Sequence, residues 1–251
     1  IFGEVSLPAS KSISNRLLLL QFYYNNSFNI RNLSHSDDTV LLSSTLDLIR
    51  QYKLRGESGL LRIDARNAGS VIRFLVPLLS VTRGHFLLTG NNRMKQRPIG
   101  ALVEAMRETG AEIDYLEEMG YPPLLIRGRN ISASKISLDA SMSSQYLTAL
   151  LLLAPTREEG LTIELVNKPV SWPYVKMTLG ILSGLGVKVF VQEDSIRVFH
   201  KKEINEDVTV ESDWSSASFW YSMLSMADKG ELFLKGLYKS GLQGDQDVLR
   251  I

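Results

Sequence analysis

Four times along this chain a short run of small polar residues gives way to a strongly apolar stretch. Ser10-Lys11-Ser12-Ile13-Ser14-Asn15-Arg16 precedes LLLL, and Asn67-Ala68-Gly69-Ser70 precedes VIRFLVPLL. Ser141-Met142-Ser143-Ser144-Gln145 precedes YLTALLLLA, and Ser212-Asp213-Trp214-Ser215-Ser216-Ala217-Ser218 precedes FWYSMLSMA. Small polar residues cap helices, and a run that is apolar on every side belongs inside a domain. Each pattern therefore predicts a capped, buried helix. A second pattern interleaves with the first. Arg97-Pro98-Ile99-Gly100 and Trp172-Pro173-Tyr174 each open an amphipathic helix with Pro near its first position. The two helices end at Gly110 and Gly186 and pass into alternating strands at 111–115 and 187–191, then into the short strands PPLLIRG and SIRVFH. Asp37-Asp38-Thr39 opens a weaker copy of the amphipathic helix. The pattern predicts an α/β protein of repeated βαββαβ units. Gly244-Asp245-Gln246-Asp247 opens a further helix just before the last residue, so the chain is expected to be part of a longer protein.

Composition narrows the class. The 251 residues suffice for one large domain or two smaller ones. A net charge of +1 gives no bulk attraction to nucleic acid or to a membrane surface. Cysteine is absent, which removes disulfides, thiolate nucleophiles and Cys-based metal sites. His35, His85 and His200 stand apart from one another in sequence, with no metal-ligand spacing. No Walker-type or GxGxxG motif occurs.

Cations decide the candidate chemistry, because Lys11, Arg16, Arg73 and Arg97 accompany the serine motifs. A helix N-terminus presents free N–H groups and partial positive charge, and small residues let an anion approach closely. Lys11 is a mobile point charge and Arg16 a planar fork, the two donor types suited to phosphate and carboxylate. Arg73 lies in an apolar helix, where a cation needs a partner. Ser143 and Ser144 offer hydroxyls, and the Gln145 amide can read a hydroxyl. Solvated cations and ordinary serine caps would give the same local patterns. Asp213 with Ser215, Ser216 and Ser218 reads as an N-cap cluster.

Taken in order, these segments resemble the 5-enolpyruvylshikimate-3-phosphate synthase family of enolpyruvyl transferases. The resemblance covers essentially the whole chain through LPASKSISNR, NAGSVIRFL, RMKQRPIGALVEAMRETGAEI, SMSSQYLTALLLLAP, VSWPYVKMTLGILSGLGVKV, SDWSSASFW and GLQGDQDVL. It implies transfer of the enolpyruvyl group of phosphoenolpyruvate to the 5-hydroxyl of shikimate 3-phosphate, with release of phosphate. It also implies two lobes of three βαββαβ units each. No cofactor or metal is implied, nor nucleic acid or membrane partners; a cytoplasmic monomer is. Residues 11–212 would form the shikimate-3-phosphate lobe, and 1–10 with 213–251 would be parts of a truncated second lobe. Because the family's acid–base carboxylates lie beyond Ile251, this chain alone is expected to be inactive. The alternative is a non-catalytic module that binds phosphorylated ligands. The related UDP-N-acetylglucosamine enolpyruvyl transferases usually carry a loop cysteine, which this chain lacks.

The resemblance also implies roles. Lys11 would be catalytic and contact phosphoenolpyruvate, with Asn67, Gly69 and Arg97 in the same pocket and Arg97 on the phosphate. Ser12 and Arg16 would hold shikimate 3-phosphate. Ser143, Ser144 and Ser171 would bind its 3-phosphate, Gln145 would lie between the substrates, and Tyr174 would flank the ring. Four departures stand out. Phe74 replaces a usual Pro beside the glyphosate pocket, Ser70 a common Thr, and Trp172 a common Lys. The stretch from Asp38 to Asn67 is short, with residues expected to be missing between Arg55 and Arg66.

Overall fold

The computed structural model describes residues 1–56 and 59–250. Strand β1 (Phe2–Ser6) leads into helix α1 (Lys11–Tyr23), the two-residue strand β2 (Ile30–Arg31) and α2 (Asp37–Arg55). Next come β3 (Leu60–Asp64), α3 (Gly69–Val81), β4 (Gly84–Thr89), the single turn α4 (Asn92–Lys95), α5 (Gly100–Glu108), β5 (Glu112–Tyr115) and β6 (Leu124–Gly128). The order then recurs in β7 (Lys135–Asp139), α6 (Ser144–Leu153), β8 (Leu161–Asn167), α7 (Trp172–Gly184), β9 (Val189–Val191) and β10 (Ser195–Val198). β11 (Val208–Thr209), α8 (Trp214–Ser225), β12 (Glu231–Lys235) and a 3-10 helix at Gly244–Arg250 follow.

Two four-stranded sheets share one plan, in the orders β3-β4-β6-β5 and β7-β8-β10-β9. In each, the first pair is parallel and the other two pairings are antiparallel. In chain order these sheets belong to units two and three, and unit one is assembled from distant parts of the chain. β11 pairs in parallel with β2, matching Val208 to Ile30; both side chains pack against the buried core, and α1 and α2 pack on each other. The strand order inside a unit corrects the sequence expectation. One strand, not two, separates the apolar helix from the amphipathic one, so the unit is βαβαββ. The second inter-helix segment in the middle unit is Asn91-Asn92-Arg93-Met94-Lys95-Gln96-Arg97, too polar for a half-buried strand, and it folds as a loop around α4. Pro98 likewise lies outside α5, just before its N-cap Ile99, whereas Pro173 is at the second position of α7.

The apolar helices α1, α3 and α6 are central, as their composition predicts. Leu19, Leu20, Leu75, Leu150 and Leu151 are fully buried. Around them, α2, α5 and α7 bury one side only. Asp37 and Asp38 in the first turn of α2, with Lys53 and Arg55 in its last, complement the helix dipole.

Units two and three each close by docking the end of their last strand on the C-terminal carbonyls of their own inner helix. The Arg129 N–H donates to Ser80 O at 3.0 Å, and the Lys201 N–H donates to Pro155 O at 2.9 Å. Unit one has no such strand pair among the described residues. α2 ends at Arg55 and β3 begins at Leu60, whereas Glu108 and Lys135 bound the corresponding interval of unit two. The shortening expected between Arg55 and Arg66 falls at this junction, although Glu57 and Ser58 lie outside the described residues.

Among the described residues, apolar side chains form two clusters. The larger runs from Ala9 to Val210; the smaller joins Leu7, Trp214 and Ala217 with Val5, Trp220 and Leu234 beside the parallel pair β1–β12. The backbone passes between them twice, and the two passages are bonded together. Ser10 N–H donates to Glu211 O at 2.9 Å, and Asp213 N–H to Pro8 O at 2.8 Å.

Candidate functional site

The parallel topology carries the N-termini of α1, α3, α6 and α7 to one end of the large cluster. There they surround a cleft of about 790 Å3. All eleven residues singled out from the sequence line it: Lys11, Ser12, Arg16, Asn67, Gly69, Arg97, Ser143, Ser144, Gln145, Ser171 and Tyr174. They are supplied by five separate segments, so only the tertiary fold brings them together.

Arg16 sits at the centre, 4% exposed. Its Nε–H donates to Thr178 Oγ1 at 2.9 Å and its Nη1 to Ser12 O at 2.8 Å. Nη2 donates to Tyr174 O at 3.3 Å and Thr148 Oγ1 at 3.4 Å. The Phe74 ring lies 5.9 Å from the guanidinium carbon. A guanidinium has five N–H donors, so the plane is fixed by four neutral acceptors and one donor is left over. Burial holds the Arg16 pKa down to about 10, which still leaves it ionised at neutral pH. Arg73, also 4% exposed, donates to Gln145 Oε1 at 2.9 Å and to the carbonyls of Gly69 and Pro98. Tyr146 covers it at 5.5 Å, and its Nε is buried without a partner. Burial lowers its pKa, and the positive charge of Arg97 adds to the effect.

Gly69 explains the approach of these two cations. A Cβ at this position would lie 2.6 Å from Arg97 Nη1 and 2.7 Å from Arg73 Nη1. Only a residue without a side chain lets both guanidiniums converge over the first turn of α3. Arg97 also donates to Asn67 O at 3.5 Å. Among the described residues, the carboxylates lining the cleft are Asp38 and Asp213. Asp38 is paired with Lys11 at 3.4 Å, and Asp213 caps α8 through Ser216. Neither is paired with Arg16, Arg73 or Arg97. Unpaired buried cations are costly, and an anionic ligand is the natural complement.

The serines divide by role. Ser143 caps α6, accepting from Gln145 N–H at 3.2 Å, and Ser144 opens the helix. Ser171, at the N-cap position of α7, makes no side-chain cap hydrogen bond and has a left-handed backbone with φ of 51°. A non-glycine residue in that conformation carries strain of about 1 kcal/mol or more. Its hydroxyl stays available on the cleft wall. Tyr174, 43% exposed, forms the adjoining rim.

Asn15, Asp38 and Tyr146 also shape the cleft but carried no signal of their own in sequence, and Phe74, one of the departures noted above, lines it as well. Asn15, 2% exposed, donates to Ser70 Oγ at 3.3 Å and accepts from Thr39 Oγ1 at 2.8 Å, tying the N-terminal ends of α1, α2 and α3 together. Asp213 and Ser215 reach the cleft from the small cluster. No helix among the described residues is long and apolar enough to cross a membrane. No group of three or more His, Cys, Asp or Glu side chains among them is placed to hold a metal.

Residues 1–251 match the family described as EPSP synthase (3-phosphoshikimate 1-carboxyvinyltransferase). A Bacteroides fragilis (strain YCH46) protein named 3-phosphoshikimate 1-carboxyvinyltransferase is 39% identical over 246 residues, covering 98% of this chain and 58% of that protein. One of the same name from Vibrio atlanticus (strain LGP32) is 38% identical over 264 residues, covering 98% and 62%. The solved EPSP synthase from Acinetobacter baumannii superposes with a TM-score of 0.73 at 20% identity, over 94% of this chain and 56% of that one. The chain thus spans about three fifths of the length of these curated relatives.

Proposed function

This chain belongs to the EPSP synthase family, and from that membership we propose that it supplies the shikimate-3-phosphate lobe of an enolpyruvyl transferase. The reaction is attack of the 5-hydroxyl of shikimate 3-phosphate on the enolpyruvyl carbon of phosphoenolpyruvate. The hydroxyl gives up its proton, protonation at the neighbouring methylene gives a tetrahedral adduct with a methyl group, and loss of phosphate together with a proton from that methyl restores the enol double bond. Residues 11–212 form the ligand-binding lobe, and 1–10 with 213–251 belong to the other. The two apolar clusters and the paired passages at Ser10–Glu211 and Pro8–Asp213 support that division.

The observation that carries this reading is the pair of buried guanidiniums, Arg16 and Arg73, without a carboxylate partner at a junction of four helix N-termini. In our assignment the serines at the ends of α6 and α7 take the 3-phosphate, with Ser12 and Arg16 holding the same ligand. Tyr174 flanks its ring. Gln145, already fixed by Arg73, lies between the two substrates. Lys11, Asn67, Gly69 and Arg97 form the phosphoenolpyruvate end, where Lys11 must exchange Asp38 for the ligand anion.

Calorimetric titration with shikimate 3-phosphate is the direct test. Saturable one-to-one binding is expected. It should be flat from about pH 7 to 9, where the phosphate is dianionic and Arg16 is charged. Affinity should fall below about pH 6 as the phosphate protonates and above about pH 10 as Arg16 loses its proton. Folded protein giving no heat with this ligand overturns the assignment.

Gly69→Ala separates the two ends of the cleft. The new methyl displaces the Arg73 and Arg97 guanidiniums, which are flexible ends, so the fold should survive. Shikimate 3-phosphate affinity should change less than about twofold, while phosphoenolpyruvate added to the binary complex should bind at least about tenfold more weakly. Equal losses for both ligands would place the two cations elsewhere in the scheme.

A further inference from the structure

The junction left without a strand pair forms a second cleft, at the opposite ends of the inner helices. The fold contains its own control for this feature. Where unit two meets unit three, Val81, Met106, Leu153 and Arg157 surround a void of about 10 Å3, plugged by Ile131 and Ala133 from the segment after β6. Where unit one meets unit two, the corresponding helix ends carry Tyr23, Tyr52, Leu78 and Thr82, with Arg83 in the place of Arg157. Among the described residues no segment plugs this site, and the cleft measures about 750 Å3.

Its polarity changes with depth. Phe22 and Tyr52 are 6% and 4% exposed and form the floor. Tyr23 Oη is buried there without a hydrogen-bond partner. Lys53, Arg83 and His85 are exposed and stand at the rim. Among the described residues, no carboxylate lines the cleft. Lys53 Nζ lies 5.8 Å from the Phe22 ring centroid, so charge and aromatic face are adjacent. An apolar aromatic floor beneath a cationic rim selects a ligand with a flat ring and one terminal anion.

We propose that this second cleft is a binding site for small arylalkyl carboxylates, separate from the anion cleft at the helix N-termini. The ring stacks among Phe22, Tyr23 and Tyr52, and the carboxylate faces Lys53 and Arg83. Cleft and ligand class follow from the lost strand pair, not from the transferase chemistry.

The probe is 3-phenylpropionate, with 3-phenylpropanol as its uncharged counterpart, followed by saturation-transfer NMR and calorimetry on the whole 251-residue chain. Saturable binding in the millimolar range or tighter is expected, at least about tenfold stronger for the acid than the alcohol. The double variant Lys53→Met/Arg83→Met should lose that advantage while binding shikimate 3-phosphate as the parent chain does. Tyr23→Phe should leave the site occupied, and Tyr52 and Phe22 ring protons should shift on addition of the acid. No saturation by about 10 mM on folded protein overturns the proposal. So does binding indifferent to the double variant, or displacement of the acid by shikimate 3-phosphate, which would place it in the other cleft.

Discussion

Arg16→Met is expected to cost this chain at least about 100-fold in affinity for shikimate 3-phosphate without lowering its melting temperature. Two physical arguments meet at this residue. The first concerns the ligand. Four of the five N–H donors are held by Thr178, Thr148, Ser12 and Tyr174, so the guanidinium is immobile before any ligand arrives. A charge-assisted contact made without reorganisation in a poorly solvated site contributes about 3 kcal/mol, close to 150-fold. The second concerns the fold. The lowered pKa shows that burial disfavours this charge. Removing it leaves few groups stranded, because Thr178 already donates to Tyr174 O at 2.9 Å and lies 3.3 Å from Thr148 Oγ1. Methionine fills the volume and makes no demand for hydrogen bonds. Arg16→Lys should bind better than Arg16→Met but worse than the parent, since an ammonium cannot satisfy the same spread of acceptors. Calorimetry and thermal melts on the three proteins decide the matter. Loss of binding accompanied by a large loss of stability would mean that Arg16 is principally structural.

Gly128→Ala should be the most damaging single methyl group in the chain. Gly128 ends β6 where it docks on α3, and a Cβ there would overlap Thr82 O and Leu79 O, both backbone atoms. Backbone at the end of a buried helix cannot swing aside as a side chain can, so the strand must separate from the helix. A loss of about 3 kcal/mol or more is expected, or roughly 10 °C in melting temperature for a protein of this size. Gly184→Ala is the matched control. No atom lies within 4 Å of its added Cβ, and its φ is outside the positive range. Alanine at the end of α7 should be neutral or stabilising by up to about 1 kcal/mol. Chemical denaturation of both variants should give opposite signs. Similar small effects would show that the end of β6 does not dock on α3 as described.

The candidate site was legible because its parts are local. A serine cap followed by an apolar helix is written in consecutive residues, and parallel connections bring successive helix N-termini to one side. Asp38 was hidden by its own context, since an acid in the first turn of α2 is sufficiently explained by the dipole. Asn15 was hidden inside the motif that contains Lys11 and Arg16. Its partners Thr39 and Ser70 are distant in sequence and give no periodic signal. The strand order failed for a related reason. β2 and β11 are two residues each, too short for any alternation to show, and the 91–98 segment has no strand period at all. The shortened connection before β3 was legible only against the family's usual length. That it opens a cleft follows from tertiary packing, which places the ends of α1, α2 and α3 around it.

The pairing of Ile30 with Val208 also sets a timetable for synthesis. Units two and three are continuous in the chain and can close soon after they leave the ribosome. Unit one cannot, because β11 is made nearly 180 residues after β2, which at ordinary elongation rates is on the order of ten seconds or more. Through that interval Ile13 and Leu17, which share a hollow with Val208 and Thr209, lack this strand beside them, and the nascent polypeptide presents them to chaperones or to other newly made chains.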